Sequence, residues 1–260
     1  MAAPIPFNKL YFFGNETRYI VQAVCSGRTS GDGMFAKWVY RYFEHEQGFQ
    51  KVLLIIASCT YALEMADLLL VIEPGDEAVM TSFTFVSATN AFVLRGAHIV
   101  LADSAALNPN LDASILEDLV MSCTRAIVPV HYAGIACEIT IILAVANRYG
   151  QAVVGDDVHA TNRYYREQPL GTLGIFSFHE TKNIILGESD LLTINELRLG
   201  ERVEIICKTG LTRSAFYQWE VDKYGWVNVS SLFLLLSAAA YLWAQIERLA
   251  DIQDQRRAIR

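Results

Sequence analysis

The segment IFSFHETKN, Ile175 to Asn183, carries the clearest chemical signal in the chain. Aromatic residues alternate along a strand-like stretch and give way to a polar cluster that contains Lys182. At the end of a parallel strand this cluster would stand at the carboxyl edge of the sheet, where open α/β folds bind their ligands. A lysine amine can form a Schiff base with an aldehyde cofactor, although a lone lysine is more often a solvated surface charge. A second polar group, Asp156, Asp157 and His159, follows the apolar run Ala152–Gly155. Its atoms would suit a hard metal or zinc, but nothing else in the chain completes such a site, so no metal is expected. Ser58, Cys59, Thr60 and Tyr61 lie where a strand passes into a helix, a place where hydroxyls commonly cap backbone N–H groups. Taken alone, Phe85 in SFTF reads as core and Gly31-Asp32-Gly33 as a turn.

The elements that must position these groups form an α/β pattern. Short runs rich in Val, Ile and Leu alternate with helix-length segments, which predicts a mostly parallel sheet with helices on both faces. Strands are expected at Val52–Ile56, Ala78–Thr81, His98–Ala102, Ala126–Val130, Ala152–Gly155, Gly174–Phe178 and Leu191–Ile194. Helices are expected at Ala62–Ile72, Val86–Leu94, Ala113–Ser122 and Thr140–Tyr149, with a polar amphipathic helix over Ile246–Arg260. Asp112 is placed to cap a helix, Pro74-Gly75-Asp76 to turn the chain, and Gly150 to close a helix through positive φ.

Composition narrows the function classes. With 260 residues, 53% of them hydrophobic and 19% charged, the chain can bury a substantial core. A formal charge of -7 without any Lys/Arg cluster argues against a nucleic-acid backbone as partner. The five cysteines are odd in number and show no CxxC pair, so they read as small buried apolar residues in a reducing compartment. Met1 to Asn8 lacks the basic start and apolar run of a secretory signal, which points to the cytoplasm. Val229–Ile246 is uncharged and near the shortest length that spans a bilayer, but its serines and Gln245 favour a helix buried in protein over a membrane partner.

FSFHETKN, with SCTYALEMADLLL at Ser58–Leu70, TSFTFVSATNAFVLRGA at Thr81–Ala97 and VPVHYAGIACE at Val128–Glu138, resembles the DegT/DnrJ/EryC1/StrS family of sugar aminotransferases. The likeness runs with small gaps from Pro6 to the end. VDKYGW at Val221–Trp226 and AAYLWAQIE at Ala239–Glu247 direct it toward members that aminate the 4-keto carbon of a dTDP-4-keto-6-deoxyhexose. The resemblance implies a fold type I large domain that binds pyridoxal 5'-phosphate (PLP), with glutamate as amino donor, a nucleotide sugar as substrate and a homodimeric assembly. It makes Lys182 the residue that holds the cofactor covalently and moves the proton, and Asp156 the partner of the pyridine nitrogen. It places His159 against the ring hydroxyl, Phe85 on the ring face, and Thr60 and Ser177 at the phosphate beside Tyr61. Gly31-Asp32-Gly33 matches a motif near the family's active site.

The chain departs from the family pattern in several places. Gly155 and Asp157 flank Asp156 where the family has Glu and a small residue, and a second carboxylate there adds repulsion that could shift the protonation of Asp156. A loop of the type TAGGEGG is replaced by IILGESDLL, one residue shorter, with Gly187 as its remaining glycine. Tyr61 stands for a small residue, and Val229–Leu236 has lost the family's polar residues. Residues 1–245 are thus expected to form the PLP-binding large domain, and 246–260 the start of a helix leading to a small C-terminal domain that this sequence lacks. Two readings follow: an active sugar aminotransferase, or a truncated homologue that keeps the fold and the cofactor but acts without turnover.

Overall fold

β-Branched and leucine-rich runs form the strands, and glycine or proline punctuates their ends. The computed structural model describes residues 9–27, 33–46, 48–56, 59–158, 171–207, 222–223 and 236–259. The strands are β1 (Lys51–Ile56), β2 (Glu77–Thr81), β3 (His98–Ala102), β4 (Thr124–Val128), β5 (Ala152–Asp156), β6 (Leu173–Ser177) and β7 (Ser189–Ile194). They make one sheet in the order β1-β7-β6-β5-β4-β2-β3. The pairings among β2, β3, β4, β5 and β6 are parallel, whereas β7 runs antiparallel to both β1 and β6. A mostly parallel sheet with helices on both faces is therefore the architecture.

The helices are α1 (Asn15–Cys25), α2 (Met34–Arg41), α3 (Cys59–Leu70), α4 (Val86–Leu94), α5 (Leu116–Leu119), α6 (Ile139–Tyr149), α7 (Gly200–Cys207), α8 (Leu236–Ile246) and α9 (Leu249–Ile259). On one face, α3, α4 and α7 pack against Ala78, Met80, Val128, Val154, Ile175 and Leu192. The other face carries two clusters. One joins α1, α2 and α8 to Leu54, Phe176 and Leu191, and the other joins α5 and α6 to Val79, Ile127 and Val153. Alternate strand residues feed opposite faces, as the two-residue side-chain period of a strand requires.

Local signals account for several boundaries. Asp112 accepts the Ser114 N–H at 2.9 Å, but it caps a 3-10 turn over Ala113–Ile115 followed by the four-residue α5. The expected helix to Ser122 stops early because Val120 is extended. β4 ends at Val128 rather than Val130, since Pro129 has no N–H to give to the ladder. Gly150 closes α6 at φ 70°, and Gly75 turns at φ 97° where Asp76 N–H reaches Glu73 O at 3.1 Å.

Two expectations need correction. Cys137 is buried, but Cys25 is exposed on the outer face of α1 and Cys123 is half-buried, so the cysteines are not uniformly core. α1, α2 and the π-helical turn Tyr42–Glu46 that continues α2 precede the first predicted element. Of Val229–Ile246, the described part is α8. It lies against α1 and α2, with Ala239, Ala240, Leu242, Ala244 and Ile246 buried. No described helix is long and apolar enough to cross a membrane. Residues 229–235 lie outside the described residues.

Candidate active site

The ends of the parallel strands and the first turn of α3 open onto a cavity of about 580 Å³. Asp156 reaches it from the end of β5, Ser177 from the end of β6 and Thr60 from the start of α3. Because β7 runs antiparallel, its beginning lies beside those ends, which brings Ser189 and Asp190 into the same lining. The turn after β6 adds His179, Thr181 and Lys182, and the β2–α4 connection adds Thr84 and Phe85.

Main-chain hydrogen bonds hold the lysine turn. Phe178 N–H donates to Ser189 O at 2.8 Å, Leu186 N–H to Phe178 O at 2.7 Å and Glu180 N–H to Gly187 O at 2.9 Å. Lys182 N–H donates to His179 O at 2.9 Å, and His179 N–H to Ser177 Oγ at 3.3 Å. Gly187, at φ 102°, adopts the backbone that this return requires and that a side chain would strain.

Asp156 is 7% exposed. Burial pushes its carboxyl up to about 6, and the Val158 N–H at 3.3 Å from Oδ1 and the Lys182 charge only partly oppose that. A carboxyl whose folded pKa exceeds its unfolded one favours folding below the unfolded value, and that contribution is lost as pH rises through the folded value. Asp156→Asn is therefore expected to raise folding stability at neutral pH by on the order of 2 kcal/mol, an advantage that fades toward about pH 4. Urea unfolding of both proteins at the two pH values checks this.

Asp157 faces the opposite side of the sheet. Its Oδ1 lies 3.5 Å from His131 Nε2, with both side chains buried. His131 Nδ1 accepts the Cys137 N–H at 3.1 Å, and burial takes the imidazole down to about 4, so the ring is neutral with its proton on Nε2, toward Asp157. Burial first, and then the Asp156 charge, raises Asp157 well above the usual carboxylate range. Asp156 and Asp157 thus do not converge on one ion.

Gly155 lies on the Asp157 face of β5. A Cβ on Gly155 would stand 3.2 Å from Asp157 Oδ2, and one on Gly174 would stand 2.7 Å from the same oxygen. Gly155 and Gly174, lacking side chains, thus leave the space that the Asp157 carboxyl occupies.

Thr60, Phe85, Asp156, Ser177 and Lys182 all line the cavity. Tyr61 does not; one helical step from Thr60 turns it away, and it is 39% exposed. His159, Ser58, Gly31 and Asp32 lie outside the described residues. Phe85 is 76% exposed at the rim rather than packed in the core. Beside it Phe83 meets the Tyr132 ring edge-on at 5.0 Å, and Tyr132 also lines the cavity. Tyr132, His179 and Thr181 had not been singled out, although each lies in a stretch that carries the resemblance. Glu188 and Asp190 had one signal, the interrupted glycine-rich loop.

Residues 14–260 match the DegT/DnrJ/EryC1/StrS aminotransferase family. The spore coat polysaccharide biosynthesis protein SpsC of Bacillus subtilis is 33% identical over 211 residues, which is 78% of this chain and 54% of SpsC. This chain spans about half the length of the curated relatives it matches. Among solved structures, the PMP form of the putative sugar aminotransferase Spr1654 from Streptococcus pneumoniae superposes with a TM-score of 0.88 at 23% identity, covering 98% of this chain and 70% of that one. PseC of Helicobacter pylori, an aminotransferase involved in the biosynthesis of pseudoaminic acid, gives 0.84 at 20% identity, covering 96% and 67%.

Proposed function

Because the chain belongs to the DegT/DnrJ/EryC1/StrS aminotransferase family, whose members depend on PLP, we propose that it transfers an amino group to a nucleotide-linked keto sugar. The observation that carries the proposal is the meeting of Lys182 and Asp156 in one cavity, close enough for the lysine charge to act on the carboxylate.

The cavity fits the cofactor. A buried carboxyl raised to about 6 gains from a partner that brings an N–H, as a protonated pyridine ring does. The Thr60 and Ser177 hydroxyls, beside the first N–H groups of α3, suit a phosphate. When bound, PLP supplies an electrophilic aldehyde and a ring that accepts electron density.

The chain's residues would then divide the work. Asp156 would keep a proton on the ring nitrogen. The Lys182 amine would hold the aldehyde and serve as the base that moves a proton at the reacting carbon. By the resemblance, Phe85 would cover a ring face and His159 would serve the ring hydroxyl, whereas Tyr61, turned away from the cavity, is left without a cofactor role. The substrate is a dTDP-4-keto-6-deoxyhexose and the donor is glutamate, in keeping with the resemblance and with the polysaccharide role named for SpsC. A cytoplasmic homodimer belongs to the same proposal: Phe83, Phe85 and Val86 leave apolar surface around the cavity rim that a partner subunit would cover. Residues 1–245 form the PLP-binding unit, and α9 leads toward a smaller domain.

Purified protein saturated with PLP and mixed with glutamate is expected to release 2-oxoglutarate stoichiometrically with the active sites. Cofactor uptake without that release would favour the second reading, a homologue that binds without turnover. Glu188 and Asp190, present in the cavity where the family has a glycine-rich loop, support that second reading.

A further inference from the structure

We propose that His131 positions Asp156 toward the cofactor ring, acting through the hydrogen bond that its own imidazole accepts. The proposal rests on the reading that Asp156 meets the pyridine nitrogen. His131, Asp157 and Cys137 form a buried polar cluster outside the cavity lining. The main chain around His131 grips Asp156 directly. His131 N–H donates to Asp156 O at 3.1 Å, Asp156 N–H donates to Pro129 O at 2.9 Å, and Val130 pairs with Asp156 between them. The imidazole closes the turn that follows: Nδ1 accepts the Cys137 N–H at 3.1 Å, while Cys137 Sγ donates to Val130 O at 3.3 Å. Asn110, 2% exposed, pins the same turn a second time, accepting the Tyr132 N–H at 3.1 Å and donating to Ile135 O at 2.9 Å. Residues 129–131 are thus tied to Asp156 through the main chain and to the turn through the His131 ring, so a shift of that ring is passed to Asp156.

The arrangement carries a cost that points to a role. His131 Nε2 and Asp157 Oδ1 stand 3.5 Å apart, both buried and neither with a hydrogen-bond partner. Unsatisfied polar atoms in an interior destabilise a fold, and an apolar side chain at 131 would remove one of them. It would also remove the acceptor that holds the Cys137 N–H. Burial favours the neutral forms of both His131 and Asp157, so the cluster acts on Asp156 by geometry rather than by charge.

The test compares PLP with its 1-deaza analogue, which keeps the aldehyde and the phosphate but carries C–H in place of the ring nitrogen and so gains nothing from Asp156. Dissociation constants are read from the absorption change of each aldehyde on binding wild type, His131→Leu, His131→Asn and Asp156→Ala. His131→Leu is expected to bind PLP about tenfold more weakly, with the analogue changed less than about twofold. His131→Asn, whose amide oxygen can take the place of Nδ1 and accept the Cys137 N–H, is expected to stay within about threefold of wild type for both. An equal loss for both aldehydes marks a structural role and overturns the proposal. So does an unchanged PLP affinity in His131→Leu, or a loss in His131→Asn as large as in His131→Leu. His131→Gln, which lacks an acceptor at the Nδ1 place, repeats the comparison if the leucine variant does not fold. Failure of both to fold overturns the proposal, because His131 then serves the fold itself. Asp156→Ala separates the two levels of inference. If it leaves intact the preference of wild type for PLP over the analogue, the functional reading and this proposal both fall. If it abolishes that preference while His131→Leu keeps it, this proposal falls alone.

Discussion

Lys182→Ala is expected to abolish the visible absorption that wild type develops with PLP, and to leave no cofactor attached after borohydride reduction. The wild-type amine is half-buried at the cavity wall, in a turn fixed by main-chain hydrogen bonds to both β6 and the start of β7. Alanine removes the one atom in that turn able to condense with an aldehyde, while Asp156, Thr60 and Ser177 keep their places in the lining. Residual binding should therefore be non-covalent and detectable by quenching of protein fluorescence. Lys182→Arg sharpens the test, because it keeps the positive charge near Asp156 but should lose the absorption as fully as alanine does. A coloured adduct that survives in either variant, mapped to another lysine, would remove the basis of the functional assignment.

Phe43→Ala should cost about 3–5 kcal/mol of folding stability, a large part of the margin of an ordinary domain. Phe43 is 2% exposed in the π-helical turn after α2, with ring centroids 6.4 Å from Phe176, 6.3 Å from Phe178 and 5.3 Å from Tyr42. Phe176 and Phe178 alternate with Ser177 on the chain that leads to Lys182, so this aromatic cluster supports the sheet face behind the cavity. Urea unfolding should show a lower midpoint with a similar slope. Protein that remains folded should still take up cofactor at Lys182, which distinguishes lost packing from lost chemistry. A midpoint within error of wild type would mean that the neighbouring rings close over the gap.

Much of the sheet could be read directly. β3, β5 and α4 fall where apolar runs and glycine or proline boundaries predict; β5 is buried on both faces, while β3 at the sheet edge keeps the same apolar run although Leu101 is exposed. The direction of β7 could not be read in this way. Leu191–Ile194 is equally apolar in a parallel and an antiparallel place, and the choice is made by the chain's return through Gly187. That reversal carries Ser189 and Asp190 to the cavity. Likewise α1 and α2 were not anticipated, and their buried faces are defined by α8, more than 200 residues later in the chain.

The site divides along the same line. The family resemblance marked Lys182, Asp156, Thr60, Ser177 and Phe85; on residue type alone Phe85 reads as core, Thr60 as a helix cap and a lone lysine as a surface charge. Their convergence on a cavity is tertiary, because it depends on which strand ends lie side by side. Adjacent carboxylates in Gly155-Asp156-Asp157 look alike on paper. Only the pleat sends one into the cavity and the other to His131; burial raises both, while the Val158 N–H and Lys182 hold Asp156 back and the Asp156 charge raises Asp157 further. Chemistry of single groups is local and can be read from composition and order; distance, face and dielectric are properties of the folded sheet.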